Sequence, residues 1–188
     1  MKIKPSAQPG RVLIEIDRKD ETMMARGLPS LFRLKKILVP TDFSECSRKA
    51  LQYALPFARQ FGASITLLHV VQINYSGAEF APVDYPLLER QMLETGEKQL
   101  GELGRITLPE DVLGHTVVRL GRPALEIAET AKKEEIDLII MSTHGRTGLK
   151  HVFLGSTAEN VVRHAPCPVL TVREHEHEFV RPSAGAEA

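Results

Sequence analysis

The stretch DLIIMSTHGRTGLKHVFLGSTAENV, from Asp137 to Val161, indicates the fold of this chain. It begins with a short apolar run, continues through a loop that contains three glycines, and ends in a helical pattern. This succession is typical of a buried strand of a parallel sheet and the helix that follows it. The glycine loop either holds a phosphate group or serves as a turn between the two elements.

Comparable apolar runs and helical patterns alternate along most of the chain. The apolar runs are Lys36–Pro40, Ile65–Val71, His115–Leu120, Asp137–Met141 and Pro168–Val172. The helical patterns between them are Ser44–Phe61, Pro86–Leu103, Pro123–Glu135 and Gly155–His164. The alternation predicts an α/β domain with a parallel sheet and right-handed crossovers.

Three local features qualify the helices. Pro56 lies inside the first helical pattern and is expected to kink the helix or end its regular part. Gly96 and Gly101 weaken the second pattern. Ser156 is followed three residues later by Glu159, which is the spacing of a capping box.

The two ends of the chain differ from this central domain, which we place at residues 34–173. Residues 1–33 form an N-terminal extension with one expected strand at 11–17. This extension either docks on the domain or is a flexible tail. Residues 174–188 have the composition of a disordered tail.

Composition excludes several classes of function. The 188 residues contain 24 Lys and Arg and 24 Asp and Glu, so net charge predicts no nucleic-acid partner and no membrane surface. The apolar runs are shorter than the roughly 20 residues of a membrane span. The N-terminus lacks the apolar core of a signal peptide, and two widely separated cysteines suit a reduced setting. We therefore expect a cytoplasmic protein.

A ligand of an open parallel sheet binds at the carboxyl ends of the strands. After the fourth run, Gly145 begins a glycine-rich turn, and Gly155 and Ser156 open a helix. Successive backbone N–H groups in such a turn and at a helix N-terminus form a cradle for anions. Asp42, after the first run, is either an acceptor for ribose hydroxyls or a helix cap, and both roles are compatible.

The segments KKILVPTDFS, ALQYALPFARQFGASITLLHVV and GRPALEIAETAKKEEIDLIIMSTHGRTGLKHVFLGSTAENVVRHAPCPVLTVR resemble the universal stress protein family. The resemblance covers about residues 34–173. It implies a three-layer α/β/α, Rossmann-like domain with five parallel strands in the order 3-2-1-4-5. It also implies a homodimer paired through the last strand, residues 168–172.

Nucleotide-binding members of that family resemble a pattern of Gly, two residues, Gly, nine residues, Gly and then Ser or Thr. The last three positions of the pattern fall on Gly145, Gly155 and Ser156, whereas its first glycine falls on Ser142. The resemblance assigns ribose to Asp42 and adenine to Val70. The full set of residues expected to line the nucleotide is Pro40, Thr41, Asp42, Val70, Met141, Ser142, His144, Gly145, Arg146, Gly148, Gly155, Ser156 and Thr157.

The resemblance implies a stress-response protein that binds ATP, with Mg²⁺ held by the phosphates, and acts as a dimeric sensor or regulator. Two alternatives are a slow ATPase or phosphotransferase and a structural dimer that binds no nucleotide. Phosphoryl transfer needs groups that hold a metal and orient the nucleophile. The expected phosphate loop offers His144 and His151 but no carboxylate cluster, so no catalytic or metal-ligating residue is predicted.

Overall fold

A computed structural model describes residues 33–72, 84–145 and 155–173, together with the backbone of two strands near the N-terminus. The tail expected at 174–188 lies outside the described residues. The chain divides into two compact units, residues 1–33 and 34–188. In the first unit, β1 (Lys2–Pro5) and β2 (Val12–Glu15) form an antiparallel pair. The strand expected at 11–17 is present as β2, whereas β1 was not predicted.

The second unit contains a five-stranded parallel sheet with helices on both faces. Its strands are β3 (Lys36–Pro40), β4 (Ser64–Val71), β5 (Leu113–Leu120), β6 (Leu138–Ser142) and β7 (Val169–Val172). Its helices are α1 (Glu45–Phe61), α2 (Tyr85–Thr107), α3 (Pro123–Lys133) and α4 (Ser156–His164). The strands lie in the order β5-β4-β3-β6-β7, which is 3-2-1-4-5 when counted within the unit. The predicted fold class is confirmed.

Alternate side chains of each central strand enter two separate cores. Ile37 and Val39 of β3 belong to the core under α1 and α2, whereas Leu38 belongs to the core under α3 and α4. All three side chains are fully buried. Because successive strand residues point to opposite faces, a sheet covered on both faces needs the near-continuous apolar runs seen in the sequence.

The structure narrows one local prediction about the helices and contradicts another. Helix α1 continues through Pro56 to Phe61, so of the two expected effects of the proline, an end of the helix is excluded. Gly155, not Ser156, is the N-cap residue of α4, and Ser156 is its first helical residue. Ser156 and Glu159 therefore do not form a capping box, and Glu159 donates its backbone N–H to the carbonyl of Gly155 over 2.9 Å.

The glycines of α2 have two different roles. A β-carbon on Gly104 would lie 3.1 Å from Leu113 Cδ2 and 3.3 Å from Leu67 Cδ1, so this glycine lets the helix approach the sheet closely. A β-carbon on Gly101 would meet no atom within 4 Å. Gly101 is exposed and weakens the helix without any packing benefit.

We expect Gly101→Ala to raise the free energy of unfolding by about 0.5–1 kcal/mol, because alanine loses less backbone entropy in a helix than glycine does. Gly104→Ala, the matched variant, gains the same propensity but must displace two leucines, so it should be less stable than Gly101→Ala. Urea denaturation measures both variants. Equal stabilisation by the two substitutions would contradict the close packing assigned to Gly104.

Candidate functional site

The site is built first on the turn between β3 and α1. Thr41 is buried, and its N–H donates to the carbonyl of Leu68 over 2.8 Å. Its hydroxyl lies 2.9 Å from the hydroxyl of Ser47 and accepts the N–H of Phe43 over 3.0 Å. These bonds tie the end of β3 to β4 and to the first turn of α1, so Thr41 braces the turn.

Asp42 joins this turn to the glycine loop. Its Oδ1 accepts the N–H of Ser44 over 3.1 Å and also the Ser44 hydroxyl. Ser44 is the N-cap of α1, because its hydroxyl accepts the N–H of Ser47 over 3.3 Å. The other oxygen of Asp42 faces Gly145, where a β-carbon would lie 2.5 Å from Oδ2. Asp42 therefore supports the capping residue and also faces the glycine loop.

Phe43, which lies between Asp42 and Ser44, has an unusual backbone conformation. Its φ is +65°, a left-handed value that is an outlier for a bulky side chain. Its ring lies 4.4 Å from the ring of His69, centroid to centroid. The Nδ1 atom of His69 lies 2.8 Å from the carbonyl of Thr41, and because a carbonyl only accepts, this nitrogen carries the proton. Sequence reasoning missed both residues, since no spacing in the chain relates them.

Beside Asp42, a cleft of about 420 Å³ opens between the end of β4 and helix α2. Its lining mixes aromatic and apolar side chains with amides and hydroxyls. The lining residues are Asp42, Phe43, His69, Val70, Val71, Gln72, Leu88, Gln91, Met92, Thr95, Gly96 and Gln99. The helix residues of this lining carry no sequence signal beyond an amphipathic pattern.

Consecutive hydroxyls order the start of the glycine loop. Ser142 is the last residue of β6 and lies opposite Val172 of β7. Its hydroxyl donates to the backbone carbonyl of His144 over 2.8 Å. The Thr143 hydroxyl lies 2.9 Å from Nδ1 of His144. Within the described ranges, positive φ in a non-glycine residue occurs at Phe43 and Glu135, so the serine at position 142 causes no left-handed strain.

Thr143 connects the loop to both neighbouring elements. Its N–H donates to the carbonyl of Val172 over 2.9 Å, and its carbonyl accepts the N–H of Gly155 over 2.9 Å. A β-carbon on Gly155 would lie 2.8 Å from that same carbonyl oxygen. The bond therefore requires glycine, and it fixes the N-cap residue of α4 beside the end of β6.

The remaining predicted site residues occupy three places. Pro40 ends β3, Val70 lies half-buried in β4, and Met141 is buried in β6 against the core under α3 and α4. Ser156 and Thr157 are the first two helical residues of α4. The two remaining residues, Arg146 and Gly148, lie outside the described residues.

This arrangement suits an anion bound across the carboxyl edge. Gly155 has no side chain with which to cap the N–H groups of the first turn of α4. A helix N-terminus carries a partial positive charge and attracts phosphate or carboxylate groups. The close contacts at Gly145 and Gly155 leave no room for β-carbons, so at these two positions the backbone packs directly against Asp42 and Thr143.

Two features are absent from the described ranges. No group of three or more His, Cys, Asp or Glu side chains there could hold a metal ion. No helix in those ranges is long and apolar enough to cross a membrane.

The family model for the universal stress protein family matches residues 33–173, and this chain belongs to that family. Universal stress protein MJ0531 of Methanocaldococcus jannaschii is 37% identical over 144 residues, which cover 77% of this chain and 85% of that protein. Universal stress protein MJ0577 of the same organism is 31% identical over 157 residues, which cover 74% of this chain and 94% of that protein.

Solved structures share the fold over the same part of the chain. The structure of the hypothetical protein MJ0577, with 34% identity and a TM-score of 0.65, covers 78% of this chain and 100% of its own. The universal stress protein UspA of Lactobacillus plantarum, with 30% identity and a TM-score of 0.63, covers 76% of this chain and 99% of its own. A universal stress protein in complex with cAMP has 18% identity and a TM-score of 0.54, covering 75% and 98%.

We expect Gly145→Ala to destabilise the protein by about 1–3 kcal/mol, because the new methyl group must displace the Asp42 carboxylate. Denaturant unfolding of Gly145→Ala, Asp42→Ala and the double variant measures this coupling. The cost of Gly145→Ala should shrink in the Asp42→Ala background, where the obstructing oxygen is gone. Strictly additive costs would show that the two residues do not contact each other.

Proposed function

We propose that this protein binds an adenine nucleotide, ATP, at the carboxyl edge of its sheet and acts as a dimeric sensor or regulator in the stress response. The observation that carries the proposal is the junction of β3, β6 and α4. There the Thr143 carbonyl holds Gly155 at 2.9 Å while Gly145 packs against Asp42. Three groups from separate parts of the chain therefore meet at the carboxyl edge of the sheet. They are a carboxylate for ribose hydroxyls, a glycine turn and a helix N-terminus.

Several properties of this edge suit the parts of a nucleotide. The N-terminus of α4 offers backbone N–H groups and a favourable dipole to phosphate oxygens. Asp42, Ser156 and Thr157 would hold the ribose and phosphate ends, and Val70 offers a backbone edge and an apolar wall to the base. Mg²⁺ would be held by the phosphates and would supply charge neutralisation. A protein of the same fold was solved in complex with cAMP, which is an adenine nucleotide.

We favour a regulatory role over efficient ATP hydrolysis, with His144 as a packing residue of the loop. This residue is the candidate general base in the loop, but its Nδ1 lies 2.9 Å from the hydroxyl of Thr143. That bond orients the ring within the loop. A bond at Nδ1 fits loop packing by the half-buried side chain, and it also fits a base that acts through Nε2, so phosphate release decides between the two.

A substitution at Ser156 tests the nucleotide proposal with little disturbance of the fold. Ser156 is exposed at the first position of α4, where an acidic side chain favours the helix dipole. We expect Ser156→Asp to weaken ATP binding at least about tenfold by repulsion of the phosphates, with unchanged or higher thermal stability. Ser156→Asn introduces a side chain with the shape of aspartate but without its charge. The affinity of this variant for ATP should lie within about threefold of the wild-type value.

Isothermal titration calorimetry with ATP and Mg²⁺ measures the three affinities, and the denatured wild-type protein is assayed for released nucleotide. Equal affinities of Ser156→Asp and Ser156→Asn for ATP would show that the phosphates do not bind at the α4 N-terminus. A wild-type protein that neither releases adenine nucleotide nor binds ATP would support the structural dimer instead. The rate of phosphate release from ATP in the same samples tests the alternative of slow hydrolysis. Steady release by the wild-type protein above the rate of Ser156→Asp would support that alternative.

The proposed dimer forms through residues 168–172, which include β7. This strand lies at one edge of the described sheet, and β5 lies at the other. The carbonyls of Pro168 and Val172 accept N–H groups from the β6 side, so the backbone of Thr171, one residue before Val172, is directed to the outer side. An edge strand presents such a row of backbone groups to a second strand.

We expect Thr171→Pro to convert the dimer to a monomer, since proline removes an outward N–H from the edge. Thr116→Pro, at an exposed position of the opposite edge strand, is the matched control and should stay dimeric. Sedimentation velocity measures both variants, and circular dichroism checks that each is folded. Loss of the dimer in the Thr116 variant alone would place the interface at β5.

A further inference from the structure

Ser142 stands where the glycine pattern of the nucleotide-binding relatives begins, and the structure gives its hydroxyl a specific contact. The hydroxyl donates to the carbonyl of His144 over 2.8 Å. The donor is certain because a carbonyl oxygen only accepts. The residue is a regular strand residue paired opposite Val172, so the side chain is held at the end of an ordered element.

The bonded carbonyl belongs to the peptide group that joins His144 to Gly145. A peptide group is planar and trans, so its C=O and its N–H point in opposite directions. The Ser142 hydroxyl, by fixing the direction of the His144 carbonyl, therefore also fixes the direction of the Gly145 N–H. That N–H is a backbone donor of the glycine turn and is directed away from the hydroxyl.

Other contacts hold the neighbouring residues of the loop, so the Ser142 hydroxyl acts on this peptide group. Thr143 is held on both sides by its backbone, through Val172 and Gly155. Its hydroxyl engages the His144 ring but not the His144 carbonyl. Gly145 packs against Asp42 and adds no side-chain restraint of its own. A glycine at position 142 would lack the hydroxyl that donates to this carbonyl.

We infer that Ser142 is a positioning residue for the nucleotide phosphates, acting through the Gly145 N–H. The inference rests on the proposed function, in which the glycine turn receives the phosphate chain. It reverses the simplest expectation from the sequence pattern, because restoring glycine at position 142 should weaken binding. A turn oriented before the ligand arrives binds more tightly, since less ordering is left to the binding step.

The test compares Ser142→Ala, Ser142→Gly and Ser142→Thr with the wild-type protein by calorimetric titration with ATP and Mg²⁺. We expect the first two variants to bind about threefold to tenfold more weakly, the loss that corresponds to one hydrogen bond. Ser142→Thr keeps a hydroxyl at the same place and should restore affinity to within about twofold. Thr107→Ala is the matched control, because it removes a 2.6 Å hydroxyl-to-carbonyl bond at the far end of α2.

A second measurement needs no bound nucleotide. In ¹H–¹⁵N spectra of the ligand-free protein, the Gly145 amide resonance should move in Ser142→Ala and Ser142→Gly and stay in place in Ser142→Thr and Thr107→Ala. The inference is overturned if the Gly145 resonance does not move in the first two variants. It is also overturned if Ser142→Gly binds ATP as tightly as the wild-type protein does. If wild type binds no ATP, the proposed function fails, and the Gly145 resonance still decides whether Ser142 orients this peptide group.

Discussion

The hydrogen bond from the Gly155 N–H to the Thr143 carbonyl is the constraint on which the site depends. The bond is 2.9 Å long, Gly155 has no space for a β-carbon, and the N-cap residue of α4 therefore lies against the end of β6. Because Thr143 also donates to Val172, the same residue joins the sheet edge to the helix start. The position of the α4 N-terminus is thereby set by backbone groups and does not depend on mobile side chains.

The order of the strands places this bond beside a crevice at the carboxyl edge of the sheet. β3 and β6 are neighbours, but α1 packs in one core and α4 in the other. The chain therefore leaves the two strands toward opposite faces, and ligands of open α/β sheets bind at such a switch point. Asp42 follows β3 and Gly145 follows β6, so their contact spans the switch point. The cleft beside Phe43 and His69 extends from the same edge toward α2.

The glycines show how far sequence reasoning reaches. The pattern singled out Gly145 and Gly155, and neither of them has a positive φ. Among described glycines, positive φ occurs at Gly62 and Gly121. The need at Gly145 and Gly155 is for space, against the Asp42 carboxylate and the Thr143 carbonyl. Spacing along the chain cannot identify a contact between residues as far apart in the sequence as Asp42 and Gly145.

The sequence by itself determined the fold class and the five main strands, because apolar runs and helical faces report which side chains must leave water. It also determined the family, and it predicted a phosphate-binding role for the glycine loop. Only the tertiary structure decided that Gly155 is the N-cap residue of α4, that Phe43 has a φ of +65°, and that the Ser142 hydroxyl donates to the His144 carbonyl. Each of these depends on the position of backbone atoms in space, which periodicity does not encode.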